Sequence, residues 1–322
     1  MMPEGGMIVP GTIHPDLEHL VDEMPALDLS DVPAMRLALD GRAPRRVEDA
    51  SGTGPSLVEI DGPAGSPRVP LRITCPDAAG ARPRAAIIEI HGGGFVLGSA
   101  ADNDAANREL ANATDAVVVS VDYRLAPEHP HPAAVDDCYA ALLWVAGRHL
   151  ELGIDPARIG ILGASAGAYL AATTALRARD QGGPALACQA LLEPVLDNRC
   201  DTTSMQQGTD TVFWTGALAE RSWELFLAGN RLDSRTIPAR HPNLTGLPPT
   251  YLTVNELDPL RDEGLRYAER LRTAAVPVDL RQWHGTFHGF TMLDTAISHT
   301  AIEALHAAMS VALAAQSTGQ TA

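Results

Sequence analysis

The stretch that most limits how this chain can fold is a short apolar run, Arg158 to Leu162, joined directly to Gly163-Ala164-Ser165-Ala166-Gly167. An alanine- and leucine-rich segment, Ala168 to Arg179, follows at once. The run reads as a buried strand and the segment as a helix. A turn this tight leaves no room for large side chains, which accounts for the small residues on either side of the serine. It pushes Ser165 Oγ above the sheet edge, against a helix N-terminus whose free N–H groups favour negative charge. G-x-S-x-G at such a junction is the nucleophile-elbow pattern. Alone it is weak, because Ala, Gly and Ser are common here and the bland reading is a small-residue turn.

The rest of the chain alternates in the same way. Ala85 to Ile90 and Ala116 to Val121 are near-continuous apolar runs, as expected of strands covered on both faces. Leu57 to Ile60 and Pro70 to Cys75 read as an opening pair, and Leu186 to Leu192, Thr250 to Val254 and Val278 to Trp283 as later strands. Helices are expected over Ala133 to Arg148, Leu265 to Ala274 and Ala301 to Ala315. This order predicts an α/β fold with a mostly parallel, doubly wound sheet. Ahead of it, Leu17, Leu20, Val21 and Met24 share one helical face, and a second short helix is expected near Asp31. Arg42 to Gly54 reads as a connector. Asn198 to Asn243 breaks the alternation and holds Phe213, Trp214, Trp223 and Phe226, four of the nine Phe and Trp residues. An aromatic stripe is more often core than ligand contact, but this one lies between two strands. The expected organisation is therefore cap helices within 1–50, a core split into 51–197 and 244–322, and a cap insertion over 198–243.

Charge and composition exclude whole classes of function. Asp and Glu number 40 against 24 basic residues, so no nucleic-acid partner is expected. All the basic residues are arginine; the chain has no lysine. That removes Schiff-base chemistry, P-loops, S-x-x-K nucleophiles and Y-x-x-x-K dehydrogenases together. Cys75, Cys138, Cys188 and Cys200 lack zinc spacing and read as reduced thiols. Met1 to His19 has neither a cationic n-region nor an apolar h-region, and no run has membrane-span length. A soluble, cytoplasmic protein is the expectation.

A serine nucleophile needs a base, an acid and donors for an oxyanion. His91-Gly92-Gly93-Gly94-Phe95 follows the strand ending at Ile90, and consecutive glycines let a substrate approach the backbone N–H groups. Loops of this HGGG type supply oxyanion donors in lipases and esterases. The rival reading, a phosphate cradle, lacks its lysine. His284 and His288 both follow the last strand. Gly285 and Gly289 make the segment a loop rather than a helical metal site, and His288, before a glycine, has more room to swing over the serine. Asp258 comes first in the loop after Thr250 to Val254, and Pro259 fixes its turn. Asp262 and Glu263 read as charge for the next helix N-terminus. Glu256 stays open as a rival acid. The order Ser165, Asp258, His288 is that of the α/β-hydrolases.

Taken together, His91 to Phe95, Asp122 to Glu128 with its continuation to Asp137, the elbow, Asp258 to Gly264 and His288 to Phe290 resemble the bacterial hormone-sensitive-lipase-like esterases, family IV, a branch of the α/β-hydrolase superfamily. The likeness spans Pro70 to Met292. It implies an eight-stranded mixed sheet flanked by helices with a helical cap, and hydrolysis of short acyl esters without metal or cofactor. It also implies an oxyanion hole from the N–H groups of Gly93, Gly94 and Ala166. The partner expected is a small-molecule ester, and homodimer formation is left open. The Arg124 to Glu128 stretch reads as a structural turn. The family's elbow usually carries Asp or Thr before the serine, whereas here it is Ala164. Two other readings stand beside this one: a ligand-binding homologue on the same fold, or a hydrolase of amides or lactones.

Overall fold

The computed structural model describes residues 11–40, 54–78, 83–208 and 211–314. The strands are β1 (Ser56–Ile60), β2 (Val69–Thr74), β3 (Arg84–Ile90), β4 (Ala116–Val121), β5 (Ile154–Ala164), β6 (Cys188–Leu192), β7 (Thr250–Asn255) and β8 (Val278–Trp283). The helices are α1 (Pro15–Glu18), α2 (Val32–Asp40), α3 (Asp104–Thr114), α4 (Ala133–Gly147), α5 (His149–Leu152), α6 (Ala166–Asp180), α7 (Thr203–Gln207), α8 (Gly216–Leu227), α9 (Arg261–Thr273) and α10 (Ala296–Ala314). One eight-stranded sheet runs in the order β1-β2-β4-β3-β5-β6-β7-β8. The β1–β2 and β2–β4 pairs are antiparallel; every other pair is parallel. This is the α/β-hydrolase architecture that the alternation and the motifs predict.

The central strands show why their sequences are apolar throughout. All seven residues of β3 are buried. Ala86, Ile88 and Ile90 pack into the main core with α4 and α6, while Ala85 and Ile87 point the other way, onto Leu110 of α3 and Leu305, Met309 and Leu313 of α10. Burial on both faces removes the alternation that a half-exposed strand would show. The one acid within β3, Glu89, is held by Asn103 Nδ2 at 2.8 Å, Asn107 Nδ2 at 3.3 Å and Ser120 Oγ. Helix α3, which supplies Asn107 and follows directly on Asn103, is not anticipated from the sequence: most of it is polar, and only Asn107, Leu110, Ala111 and Thr114 are buried.

The N-terminal segment differs from its predicted single helix. It forms a four-residue α1 and then a 3₁₀ turn, Val21–Glu23. Only Leu17 is fully buried, against Phe287, Phe290 and Ala301, so tertiary packing holds a turn rather than a long face. Helix α2 forms where expected, with Asp31 Oδ1 accepting from Ala34 N at 3.0 Å. The predicted connector, Arg42 to Gly54, lies outside the described residues except for Gly54, and so do the first ten residues of the stretch read for a leader. Among the described residues no helix is long and apolar enough to cross a membrane. The four cysteines are free; Cys75 is exposed and the others are buried.

The stretch from Asp122 to Glu128 makes structural contacts. Arg124 forks onto the fully buried Asp137, with Nη2–Oδ1 at 2.7 Å and Nε–Oδ2 at 2.8 Å. Arg36 of α2 donates to Glu128 Oε1, Val96 O and Ala126 O, each at 2.8 Å. The N-terminal helix is thereby tied to the glycine loop after β3.

Candidate active site

Each candidate side chain sits on a loop that leaves the carboxyl end of a parallel strand, which is where open α/β sheets place their sites. At the elbow between β5 and α6, Ser165 has φ 54° and ψ −117°, a conformation rarely adopted by a residue with a side chain. The turn is held by Ser165 N–H donating to Leu192 O at 2.9 Å and by Val195 N–H donating to Ser165 O at 3.2 Å. The flanking glycines are required by close approach. A Cβ on Gly163 would lie 2.2 Å from Gly167 O, and one on Gly167 would lie 2.1 Å from Ile90 O. Small residues there are a condition of the turn.

His288 Nε2 stands 3.0 Å from Ser165 Oγ, and His288 Nδ1 stands 2.7 Å from Asp258 Oδ2. An ionised Asp258 accepts from Nδ1–H, which leaves Nε2 to accept from the serine hydroxyl. All three residues are buried. Asp258 Oδ1 accepts from Leu260 N at 2.8 Å, so the carboxylate is fixed by its own loop. The acid and histidine loops are laced together by Glu256 N→Trp283 O at 3.0 Å and Leu257 N→Thr286 O at 2.9 Å. The histidine loop is clamped from outside by the N-terminal segment, through His14 N→Gly285 O at 2.7 Å.

The other candidates lie apart from the serine. His284 is exposed and sits 3.5 Å from Glu256. Glu256 accepts from Gly285 N at 2.8 Å and Gly11 N at 3.2 Å, which turns its carboxylate to the outer side of the loop. Asp262 and Glu263 occupy the first turn of α9 as expected, but their oxygens serve distant backbone. Asp262 Oδ2 accepts from Ser204 N at 2.9 Å, and buried Glu263 Oε1 accepts from Leu196 N at 2.8 Å. They tie α7, at Ser204, and the loop after β6, at Leu196, to α9.

The glycine loop lies beside the elbow. A Cβ on Gly92 would lie 3.5 Å from Ser165 Cβ. Gly93 and Gly94 have φ of +110° and +58°. Gly93 O accepts from Val96 N and Leu97 N at 3.1 and 2.8 Å, so the loop is a closed turn. The amides of Gly93, Gly94 and Ala166 make no hydrogen bond within the described residues. Below them Tyr123 OH donates to His91 O at 3.0 Å, and the His91 ring stacks on Tyr123 at 4.2 Å. From above, Phe95 meets Phe226 at 4.1 Å and Trp223 at 5.1 Å, while Tyr169 of α6 meets Trp223 at 5.1 Å. Trp214 and Phe213 cover His288, with ring centroids at 5.8 and 6.4 Å. A Cβ on Gly94 would lie 2.7 Å from the Trp214 ring. The aromatic stripe is thus both packing and roof.

Glu193, one residue past β6, was not among the candidates from sequence. Its Oε2 accepts from Gly289 N at 2.9 Å and from Asn255 Nδ2, and stands 3.8 Å from His288 Nδ1. The only signal for it was an acid placed directly after an apolar strand. Two charges then act on the imidazole. Burial favours its neutral form most strongly, but the charges of Asp258 and Glu193 and the Asp258 hydrogen bond outweigh it, raising the pKa to about 9. Burial also pushes the Glu193 carboxyl above its ordinary value. Glu193, Asp258 and His288 are close enough to hold a metal ion, lying within 4.8 Å of one another. His288 Nδ1 and Asp258 Oδ2 already bond to each other, and Glu193 Oε2 accepts from Gly289 N and Asn255 Nδ2.

A family model described as alpha/beta hydrolase fold matches residues 87–292. The chain is similar to Esterase LipI of Mycobacterium tuberculosis, with 39% identity over 298 residues, covering 86% of this chain and 91% of that one. It is also similar to Carboxylic ester hydrolase LipN of Mycobacterium tuberculosis, with 40% identity over 250 residues, covering 73% of this chain and 64% of that one. Among solved structures, Bacterial Heroin Esterase superposes with a TM-score of 0.89 at 41% identity, covering 94% of this chain and 98% of that one.

Proposed function

The chain belongs to the α/β-hydrolase family, in its hormone-sensitive-lipase-like carboxylesterase branch, and from that membership we propose that Ser165, His288 and Asp258 act as nucleophile, base and acid on short-chain acyl esters. It is a carboxylic ester hydrolase. The observation that carries the residue assignment is the relay Ser165 Oγ to His288 Nε2 at 3.0 Å and His288 Nδ1 to Asp258 Oδ2 at 2.7 Å. Ser165 Oγ attacks the ester carbonyl as its proton passes to Nε2, and Asp258 steadies the imidazolium. The amides of Gly93, Gly94 and Ala166 receive the oxyanion; their lack of other partners supports this role. His288 then protonates the departing alkoxide, and water repeats the cycle to release the acid. A fluorophosphonate probe is expected to label Ser165 covalently. No labelling of folded protein would favour a ligand-binding homologue instead.

Because His288 works as a base only when neutral, a raised pKa moves activity toward alkaline pH. kcat/KM is expected to rise through the neutral range, with its midpoint displaced from 6.5 toward about 9. A profile already flat above pH 7 would contradict this.

Residues 198–243 and the N-terminal helices form the cap. Its support is the packing of Trp223 and Phe226 on Phe95 and Tyr169, and the placing of Trp214 over Gly94 and His288. The likeness to the hormone-sensitive-lipase-like esterases, with this roof over the serine, supports acyl chains of about eight carbons or fewer. Among p-nitrophenyl esters, Trp214→Ala is expected to raise kcat/KM for decanoate relative to butyrate by roughly tenfold. An unchanged ratio would place the acyl chain elsewhere. Four unpaired cysteines fit a reducing compartment, which supports a cytoplasmic location.

A further inference from the structure

Glu193 is outside the triad, yet its carboxylate faces the same imidazole nitrogen as Asp258. Oε2 lies 3.8 Å from Nδ1, about 1 Å beyond hydrogen-bond length but well within range for charge to act. The residue is pinned rather than resting there. Its backbone N–H donates to Thr253 O at 3.1 Å and Thr253 Oγ1 at 3.2 Å, and its φ of +39° is one that a residue with a side chain seldom keeps. The side chain is 12% exposed, and His288 is the basic group paired with it. A carboxylate buried this far needs a partner, and the imidazolium formed during the reaction is the one at hand.

Its position also bears on the elbow. Ala164 of β5 pairs with Leu192 of β6, so Glu193 begins next to the residue before the nucleophile. Ala164 has no polar side chain to reach the acid or histidine loop. Glu193 reaches both, through Asn255 at the end of β7 and Gly289 after the histidine.

We propose that Glu193 is a positioning residue for His288, a second carboxylate that shares with Asp258 the work of orienting and charge-stabilising the imidazole and that takes over Nδ1 when Asp258 is removed. The proposal rests on His288 being the base. The titratable groups facing the imidazole are Asp258 from the β7 loop, Glu193 from the β6 end and Ser165 from the elbow; Glu263 stands behind Asp258. Phe213 and Trp214 cover it from the cap and carry no charge.

The competing role is purely structural: Glu193 would only anchor the loops through Gly289 and Asn255. Glu193→Gln separates the two, because a carboxamide oxygen still accepts from both donors while the charge is gone. With p-nitrophenyl butyrate, Glu193→Gln is expected to hold KM within about twofold, lower kcat several-fold and move the kcat/KM midpoint about one pH unit lower. Asp258→Ala is expected to keep about 1% of kcat, against the roughly ten-thousandfold loss known for replacement of a triad acid. Asp258→Ala/Glu193→Gln is expected to fall a further tenfold or more. Equal rates for Asp258→Ala and the double variant, or an unmoved midpoint in Glu193→Gln, would overturn the proposal. If the Glu193 variants fail to fold, an NMR titration of the His288 imidazole in Asp258→Ala decides it. A midpoint kept above the ordinary 6.5 supports Glu193, and one below 6.5 overturns it. That titration needs no turnover, so an inactive wild type would sink the triad reading without being mistaken for a failure of Glu193.

Discussion

Ser165→Ala is expected to lower kcat for p-nitrophenyl butyrate by about a million-fold while leaving the thermal midpoint within about 2 °C. The size follows from the chemistry: no other nucleophile replaces Oγ, and His288 without it has no proton to take. Stability hardly changes because the hydroxyl makes one contact of consequence, with His288 Nε2 at 3.0 Å. The strained backbone at φ 54° belongs to the turn and not to the hydroxyl, so alanine inherits it unchanged. The fold is held instead by β3, β5 and β6 and by Gly163 and Gly167, none of which the substitution touches. A residual rate above that of water would reflect the free amides of the glycine loop and the elbow. Turnover at the wild-type level in Ser165→Ala would mean that another group attacks, and the triad would have to be abandoned.

How far the sequence alone carried this reading depends on what each feature is made of. Strands β3, β4 and β7 were legible because burial on both faces writes itself as an unbroken apolar run. Helix α3 was not, because its inner face is built from Asn107 and Thr114 as much as from Leu110. Those polar groups are tolerated there since Asn107 answers a buried Glu89, a pairing that only the fold reveals. Helix α1 stopped early because Leu17 finds its own pocket against Phe287 and Phe290, which no periodicity encodes. The three triad loops each had a local signature: glycines around the serine, proline after the acid, glycine after the histidine. Glu256 was a fair rival to Asp258 on position alone, and the structure separates them: Gly285 and Gly11 meet the Glu256 carboxylate, while Asp258 meets His288. Glu193 had no signature. Its approach to His288 depends on β6 and β8 flanking β7, so that three strand ends deliver Glu193, Asn255 and the histidine loop to one point.

Gly93→Ala is expected to cost about a thousandfold or more in kcat with the fold intact, and it tests the part of the site built from backbone alone. Gly93 has φ +110°, a region essentially confined to glycine, so any side chain there is strained before contacts are considered. A Cβ would also lie 2.1 Å from Leu97 O, which belongs to the closed turn that Gly93 O forms with Val96 and Leu97. The strain is therefore relieved only by opening that turn. Opening it moves the amides of Gly93 and Gly94 together, leaving Ala166 as the donor that stays in place. Each oxyanion donor is worth about a hundred- to a thousandfold, so losing the aim of two exceeds any effect expected of the cap residues. The damage should fall on the rates of acylation and deacylation, since both pass through an oxyanion, and not on the fold. The sheet that carries the triad is fixed elsewhere, and the Ser165–His288–Asp258 bonds do not pass through the loop. Gly92→Ala makes the useful contrast. Its Cβ would meet Ala164 O at 3.2 Å and Ser165 Cβ at 3.5 Å, close but not prohibitive, and it needs no positive φ. Fluorophosphonate labelling should slow in Gly93→Ala far more than in Gly92→Ala, because that reaction too develops charge on an oxygen held by the loop. Equal labelling rates in the two variants would show that the loop amides do not receive the oxyanion.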